Sequence, residues 1–360
     1  MKFTKKSQEH MDACRFCWMC RHICPIGNAT GQERNTARAR ALGLSLVARG
    51  AVDYSEDVIN NVYECALCGA CVKECVTGWD PVAFTKEARL VAALDGKLPP
   101  YVLKMVTAAL ETGNVYGATP DGKLAAKIKG LKKSDTLFFL GADARFKTPA
   151  NAVEAIDLLL ALGVDFTVLE NEPDSGYGLD FLVSATSETK AAAEKCAGVL
   201  NGYKKVICYD PADAKIFRRE YKEWGIDAKF EILTFTAFLA DLLKDKKVKK
   251  SGLVFTPQDS AILARDLEET EPVRAILARI GEVSEMLCNR RDTMLAGNLI
   301  MNEYMPAVME RVAADRWTNA KNVGAKILVT ESPAEYAMLK ATEPDGMTVL
   351  TVEEAVAKCL

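Results

Sequence analysis

The chain has 360 residues, 49% of them hydrophobic and 26% charged, and a formal net charge of −3. That mixture describes a globular protein of two or three domains, each long enough to bury a core. A charge so near neutral argues against a nucleic-acid or membrane-surface binder and leaves proteins and small molecules as partners.

The N-terminus, MKFTKKSQEHMDACRF, is basic at its start but lacks the apolar stretch of a signal peptide. The longest apolar runs, AIDLLLALGV and FTAFLADLL, fall well short of the ~20 residues that a membrane span requires. The expected location is cytoplasmic with no integral membrane segment, any membrane association coming through a partner. Twelve cysteines in that compartment argue against structural disulfides. Cys196, Cys208, Cys288 and Cys359 are scattered and read as small apolar residues of cores or a tail.

The other eight cysteines lie in two runs, CRFCWMCRHICP and CALCGACVKEC, each spaced by two, two and three residues. This is the spacing of a bacterial ferredoxin run around a [4Fe–4S] cube. Three closely spaced thiolates wrap one face of the cube, and the short gaps let backbone N–H groups turn toward its sulfides. In two-cluster ferredoxins the last cysteine of a run ligates the other cube. Cys14, Cys17, Cys20 and Cys75 are therefore assigned to one [4Fe–4S] cluster, and Cys65, Cys68, Cys71 and Cys24 to the other. Paired zinc knuckles would have no use for the third and fourth cysteine of each run. Pro25 completes the ferredoxin pattern after Cys24, whereas Val76 follows Cys75 and Pro81 arrives late. His22 reads either as a hydrogen-bonding neighbour of a cluster or as a plain surface residue. Trp18 and Trp79 are expected to shield the cubes from water as core residues.

Between the runs, GQERNTARARALGLSLVARG and SEDVINNVYEC read as helices, the second opened by a Ser cap. DPVAFTKEARLVAALDG reads as another, with Pro near its start and Gly at its end. Helices here, in place of the tight strands of a small ferredoxin, imply an α-helical ferredoxin domain over residues 1–112.

From about residue 135 strands and helices alternate. DTLFFLGAD, VDFTVLE, KKVICYDP and AKFEILT read as strands, with helices in TPANAVEAIDLLLALG, ADAKIFRREYKEWG and AFLADLLKD. The lysine-rich KDKKVKKSG reads as a solvated linker. The pattern then restarts, with strands in SGLVFTP, AKILVTESP and MTVLTV and helices in EPVRAILARIG, AVMERVAADRWTNAKNVG and AEYAMLKAT. This alternation implies parallel sheets covered by helices. VICYDPADAKIF and LVTESPAEYAML are each strand, Pro-Ala turn and helix, so the α/β unit reads as duplicated over 135–245 and 251–360.

A two-cluster ferredoxin domain followed by two such repeats resembles the iron–sulfur (CCG-domain) subunit family. That family includes the iron–sulfur subunits of glycolate oxidase and of anaerobic glycerol-3-phosphate dehydrogenase, the lactate-utilisation iron–sulfur protein and the D subunit of heterodisulfide reductase. The eight ferredoxin cysteines match. The resemblance fails at the ligands of the repeats, where the family carries Cys-Cys-Gly and Cys-Pro-x-Cys. Here Asp174, Ser175 and Gly176 replace the first Cys-Cys-Gly, and Asp210, Pro211, Ala212 and Asp213 the first Cys-Pro-x-Cys. MLAGN and SPAE, with Ser332 and Glu335, stand at the second pair. Carboxylates and hydroxyls do not select iron–sulfur clusters. Asp174, Ser175, Asp210 and Asp213 read as a scaffold whose old metal site has decayed, or as a converging pocket for a hard cation or a partner's polar group.

The resemblance implies an electron-transfer subunit with no catalytic residues of its own. It would relay electrons between an FAD-linked dehydrogenase of a hydroxy acid, polyol or sugar-type substrate and an acceptor protein or quinone. No G-x-G-x-x-G follows a strand, so FAD or a nicotinamide is not expected on this chain. The alternative is a catalytic subunit of the heterodisulfide-reductase type, which the missing cysteines disfavour. A cluster-based sensor is a third class, and two adjacent cubes favour conduction over it.

Overall fold

The computed structural model describes residues 3–360. Its N-terminal part is helical because the sequence supplies both the starts and the stops. Thr4 and Thr36 accept N–H bonds at the heads of helices Lys5–Asp12 and Ala37–Ala48. Asp80 accepts from Val82 and Ala83 at the head of Pro81–Leu94, whose first helical residue is proline. Helix Glu56–Tyr63 stands just before the second cysteine run, and helix Pro100–Thr112 ends on Gly113 in the left-handed region.

Seven strands follow: β1 (Thr136–Phe139), β2 (Lys205–Cys208), β3 (Glu231–Thr234), β4 (Val254–Gln258), β5 (Glu282–Val283), β6 (Ile327–Thr330) and β7 (Thr348–Thr351). They form two all-parallel sheets, ordered β1-β2-β3 and β5-β4-β6-β7. The strands at the centre are continuous apolar runs because helices cover both faces. The fold is therefore α/β beyond a helical N-terminal part, and the α/β part repeats. β2 runs into a helix through Pro211, and β6 does so through Pro333.

One expected strand shrinks. Of VDFTVLE only Thr167 pairs, in a parallel bridge to Leu137. Arg145 takes the carbonyls of Leu169 and Glu170 (2.9 and 2.6 Å), so the edge continues as side-chain hydrogen bonds and not as a ladder. Thr167 beside β1 occupies the place that β5 takes beside β4.

The parts share cores. One apolar cluster joins Ile26 and Tyr63 of the helical part to Leu182, Leu299, Trp317 and Leu339. Another joins Phe138 and Ile207 of the first sheet to Phe255 and Val329 of the second. Cys196, Cys208 and Cys359 are buried and Cys288 is half-buried, as small apolar residues would be.

Candidate metal centre

The two cysteine runs fold alike. Phe16 and Trp18 flank Cys17 with φ of 53° and 69°, and Leu67 and Gly69 flank Cys68 with 52° and 72°. These left-handed residues curl each loop and start a short helix, Met19–Ile23 or Ala70–Glu74, that carries Cys20 or Cys71 in its first turn. The fourth cysteine ends each helix in nearly the same conformation, φ −75° and ψ 111° at Cys24, φ −76° and ψ 114° at Cys75. The two short helices pack against each other.

That packing exchanges the ends of the runs. Cys24 lines a cavity of about 400 Å³ together with Cys65, Cys68 and Cys71, walled by Pro25, Ile26, Ala70 and Val82. Cys14, Cys20 and Cys75, together with Cys71, pack on one apolar cluster with Trp79, Phe84 and Leu44, while Cys17 is exposed. Burial is the main cause that pushes the Cys24 thiol up to about 12 and raises Cys20, Cys68 and Cys71 as well. Thiolates in such walls are stable against a bound soft metal centre. Among the described residues no three Cys, His, Asp or Glu side chains close on one point as a single ion requires. Four of the sulfurs line one cavity, as the ligands of a four-iron cube would. Backbone donors are also in place, from Gly27 to Cys24 Sγ and from Leu67 to Cys65 Sγ, each at 3.4 Å. These residues fit the cluster.

The inner set is clamped from the body of the protein. Arg89 is fully buried, and its guanidinium donates to the carbonyls of Cys65 (2.6 Å), Val62 (3.2 Å) and Phe181. It lies between the rings of Tyr63 and Phe181, 4.9 and 4.7 Å from their centres. Arg265 donates to the carbonyl of Cys68 at 2.8 Å. Of the two tryptophans, Trp79 is buried and donates to the carbonyl of His10, whereas Trp18 is 48% exposed and is not a core residue. His22 is exposed on the surface.

Asp174, Ser175, Asp210 and Asp213 line one cavity of about 490 Å³ with Asp143 and Glu172. Ser175 donates to Asp213 at 2.5 Å, and Asp174 and Asp210 accept from the N–H groups of Gly176 and Ala212. Burial drives every one of these acids toward its neutral form: Asp174 and Asp143 to about 6, Asp210 and Asp213 well up, with the mutual repulsion of Asp143, Asp210 and Asp213 adding to it. Gly141 (φ 84°) lets the chain pass, since a Cβ there would meet the Asp213 carboxylate. A second cavity, of about 670 Å³, lies between the Cys68 loop and the turns of both repeats, with Lys86, Lys215, Asp180, Asn298, Ser332 and Glu335 on its walls.

Comparison with known proteins decides the nature of the N-terminal part, because residues 10–79 match the family model of the 4Fe-4S dicluster domain. The chain is an iron–sulfur protein. Its 4Fe–4S dicluster domain contains both cysteine runs. The chain is 27% identical over 297 residues to the "Probable iron-sulfur-binding oxidoreductase FadF" of Bacillus subtilis, covering 72% of this chain and 41% of that protein. It is 26% identical over 365 residues to the D subunit of the dihydromethanophenazine:CoB--CoM heterodisulfide reductase of Methanosarcina acetivorans, covering 90% and 87%. A "Probable membrane-anchored ferredoxin" of Chromohalobacter salexigens is 24% identical, covering 99% of this chain and 61% of its own length. The chain thus spans less than half of the first of these relatives. With the dicluster domain, they support an iron–sulfur subunit of the CCG family. No helix among the described residues is long and apolar enough to cross a membrane.

The iron–sulfur protein holds several polar residues that sequence reading missed. Tyr116 donates to Asp143 at 2.5 Å, Glu172 accepts from the N–H groups of Leu140 and Gly141 at 2.8 Å each, and Lys86 pairs with Asp180 at 2.7 Å. The one signal available was GAD directly after a strand, a glycine followed by an acid at the strand's C-terminal end.

Proposed function

We propose that this chain is an electron-transfer subunit holding two [4Fe–4S] clusters, one on Cys14, Cys17, Cys20 and Cys75, the other on Cys24, Cys65, Cys68 and Cys71. It relays electrons between an FAD-linked dehydrogenase, acting on a hydroxy acid, polyol or sugar-type substrate, and an acceptor protein or quinone. The observation that carries the reading is the exchange of run ends, with Cys24 in the cavity of the second run. Bound clusters would supply one-electron redox chemistry. The chain's own residues hold the thiolates, Arg89 and Arg265 fix the inner loop through its carbonyls, and the packed helices exclude water. The units 1–112, 135–245 and 251–360 divide the work between the ferredoxin part and a docking body. Within that body Asp174, Ser175, Asp210 and Asp213 serve as scaffold.

Anaerobically purified protein is expected to contain about eight iron and eight sulfide, as two cubes require. A content near twelve iron would mean a third cluster in the repeats, and about two zinc with little iron would overturn the reading. Cys24→Ala is expected to abolish the paramagnetic signal of the cube on Cys65, Cys68 and Cys71 while sparing the other, and Cys75→Ala the reverse. Loss of the local cube in each case would show self-contained runs.

A heterodisulfide-reductase type of catalysis is the second reading, favoured by the cavity beside the Cys68 loop. That cavity carries no thiol besides Cys68. Reduction of a heterodisulfide by the cluster-loaded protein, supplied with electrons by dithionite and without a partner subunit, would select this reading over the relay.

A further inference from the structure

The two runs are copies in backbone, but their outer faces meet different neighbours. In the second run Leu67 packs on the shared core, Gly69 sits against the Arg265 side chain, and Arg265 takes the Cys68 carbonyl. The chain's own body covers that face, and the residues there are small: Ala66, Gly69 and Ala70. The first run places Arg15, Trp18 and Met19 at the same positions. Phe16, Trp18 and Met19 are 49%, 48% and 43% exposed around an exposed Cys17.

Trp18 is costly where it stands. Its φ of 69° is a region that Gly69 enters freely and a bulky residue rarely adopts. A side chain kept against that strain, where glycine serves the same turn, marks the side chain as the functional part. The ring is also held rigid. The Arg38 guanidinium lies 3.6 Å from its centre and that of Arg21 5.4 Å, while Glu33 pairs with both arginines. A rigid exposed aromatic beside arginines is the composition of an interface hot spot. Arg15, Arg21 and Arg38 lie in and beside this run against the single carboxylate of Glu33, and no Asp or Glu occurs from Ala13 to Gln32, so the rim keeps a positive excess. The patch surrounds a cysteine that reaches the surface, which shortens an electron path to a protein and would serve a lipid surface in no way.

We propose that Phe16, Trp18 and Met19, edged by Arg15 and Arg21, form the docking face for a one-electron carrier protein with an apolar contact patch ringed by carboxylates. This rests on the relay reading and adds the place and the chemistry of one partner.

The test compares the cluster-loaded protein with Trp18→Gly/Met19→Ala, which copies the second run at those positions and removes the strain. Stopped-flow reduction is measured with dithionite and with a reduced small acidic ferredoxin as the probe. The expected result is an unchanged dithionite rate and iron content, with the second-order rate from ferredoxin lowered at least tenfold. Arg15→Glu is expected to slow the ferredoxin reaction and flatten its fall with salt. Equal ferredoxin rates in wild type and double variant overturn the proposal, and so does a wild type that dithionite reduces and ferredoxin does not. Loss of binding to phosphatidylcholine–phosphatidylglycerol vesicles with ferredoxin rates intact would overturn it in favour of a membrane. A dimer that the variant turns into a monomer, again with ferredoxin rates intact, would overturn it in favour of a second copy. Failure of the relay reading shows separately, as wild-type protein that lacks its iron or resists dithionite.

Discussion

The two α/β halves hold their buried acids in different ways. In the first half the turns are filled by acids, and Arg145 on the same cavity pairs with Glu172 at 3.9 Å. Asp143, Asp210 and Asp213 are buried together, and burial with their mutual repulsion pushes them toward the neutral form. In the second half, basic partners stand beside the acids. Arg274 grips Asp259 with two bonds of 2.6 and 2.9 Å and also pairs with Glu285. Arg316, 1% exposed, donates to Gln258 at 2.5 Å, and Gln258 in turn donates to Glu335. A buried acidic turn can thus be kept either by acids pushed toward the neutral form or by acids gripped by a fixed cation, and the two respond differently to mutation.

The largest effect is expected where a cation is removed. Arg274→Met leaves the Asp259 carboxylate buried with only the Arg290 N–H as a charge-stabilising donor. It should lower stability by about 3–5 kcal/mol, read as a shift of the anaerobic urea midpoint. An effect near zero would mean that the buried Asp259 carboxylate does not depend on Arg274. Gly141→Ala comes next, by roughly 1–3 kcal/mol, because it adds a strained φ and a collision with Asp213 at once.

The pH response is smaller and of known sign. Asp143 and Asp174 are raised to about 6, against ordinary values near ~3.9. The folded state therefore binds more protons than the unfolded one, and stability falls as pH rises from about 4 to about 6. Asp210 and Asp213, raised further, extend the decline upward. Melting at pH 6 should exceed melting at pH 8, and a flat profile would show that a cation compensates these acids in solution. Smallest of all is Asp210→Asn/Asp213→Asn, which should leave electron transfer near normal and flatten the upper part of that decline. Intact clusters with strongly impaired reduction by a flavoprotein partner would instead place a functional contact in the first half.

The features legible in the sequence are those in which chemistry restricts residue type. Eight thiols at ligand spacing announced the dicluster domain, and Pro211 and Pro333 after apolar runs announced the repeated strand–turn–helix. Features that depend on distant neighbours were hidden. Trp18 looked like a shield because a tryptophan near a cofactor is usually buried, yet nothing local says that the body covers only the second run. VDFTVLE has strand composition, but Arg145 takes its last carbonyls. Asp143 meets Tyr116 across 27 residues and Arg89 meets Phe181 across 92, separations at which a single sequence carries no pairing signal.

The Arg265 clamp has a consequence for the order of events during synthesis. It lies 197 residues beyond the Cys68 carbonyl that it holds. At ~5–20 residues per second, the inner cysteine loop leaves the ribosome about 10–40 s before its clamp exists. During that interval the loop's sulfurs are made but not yet fixed, open to oxygen and to stray metals. Metal delivery to this chain is therefore a race that favours late insertion, after the second half has folded onto the loop.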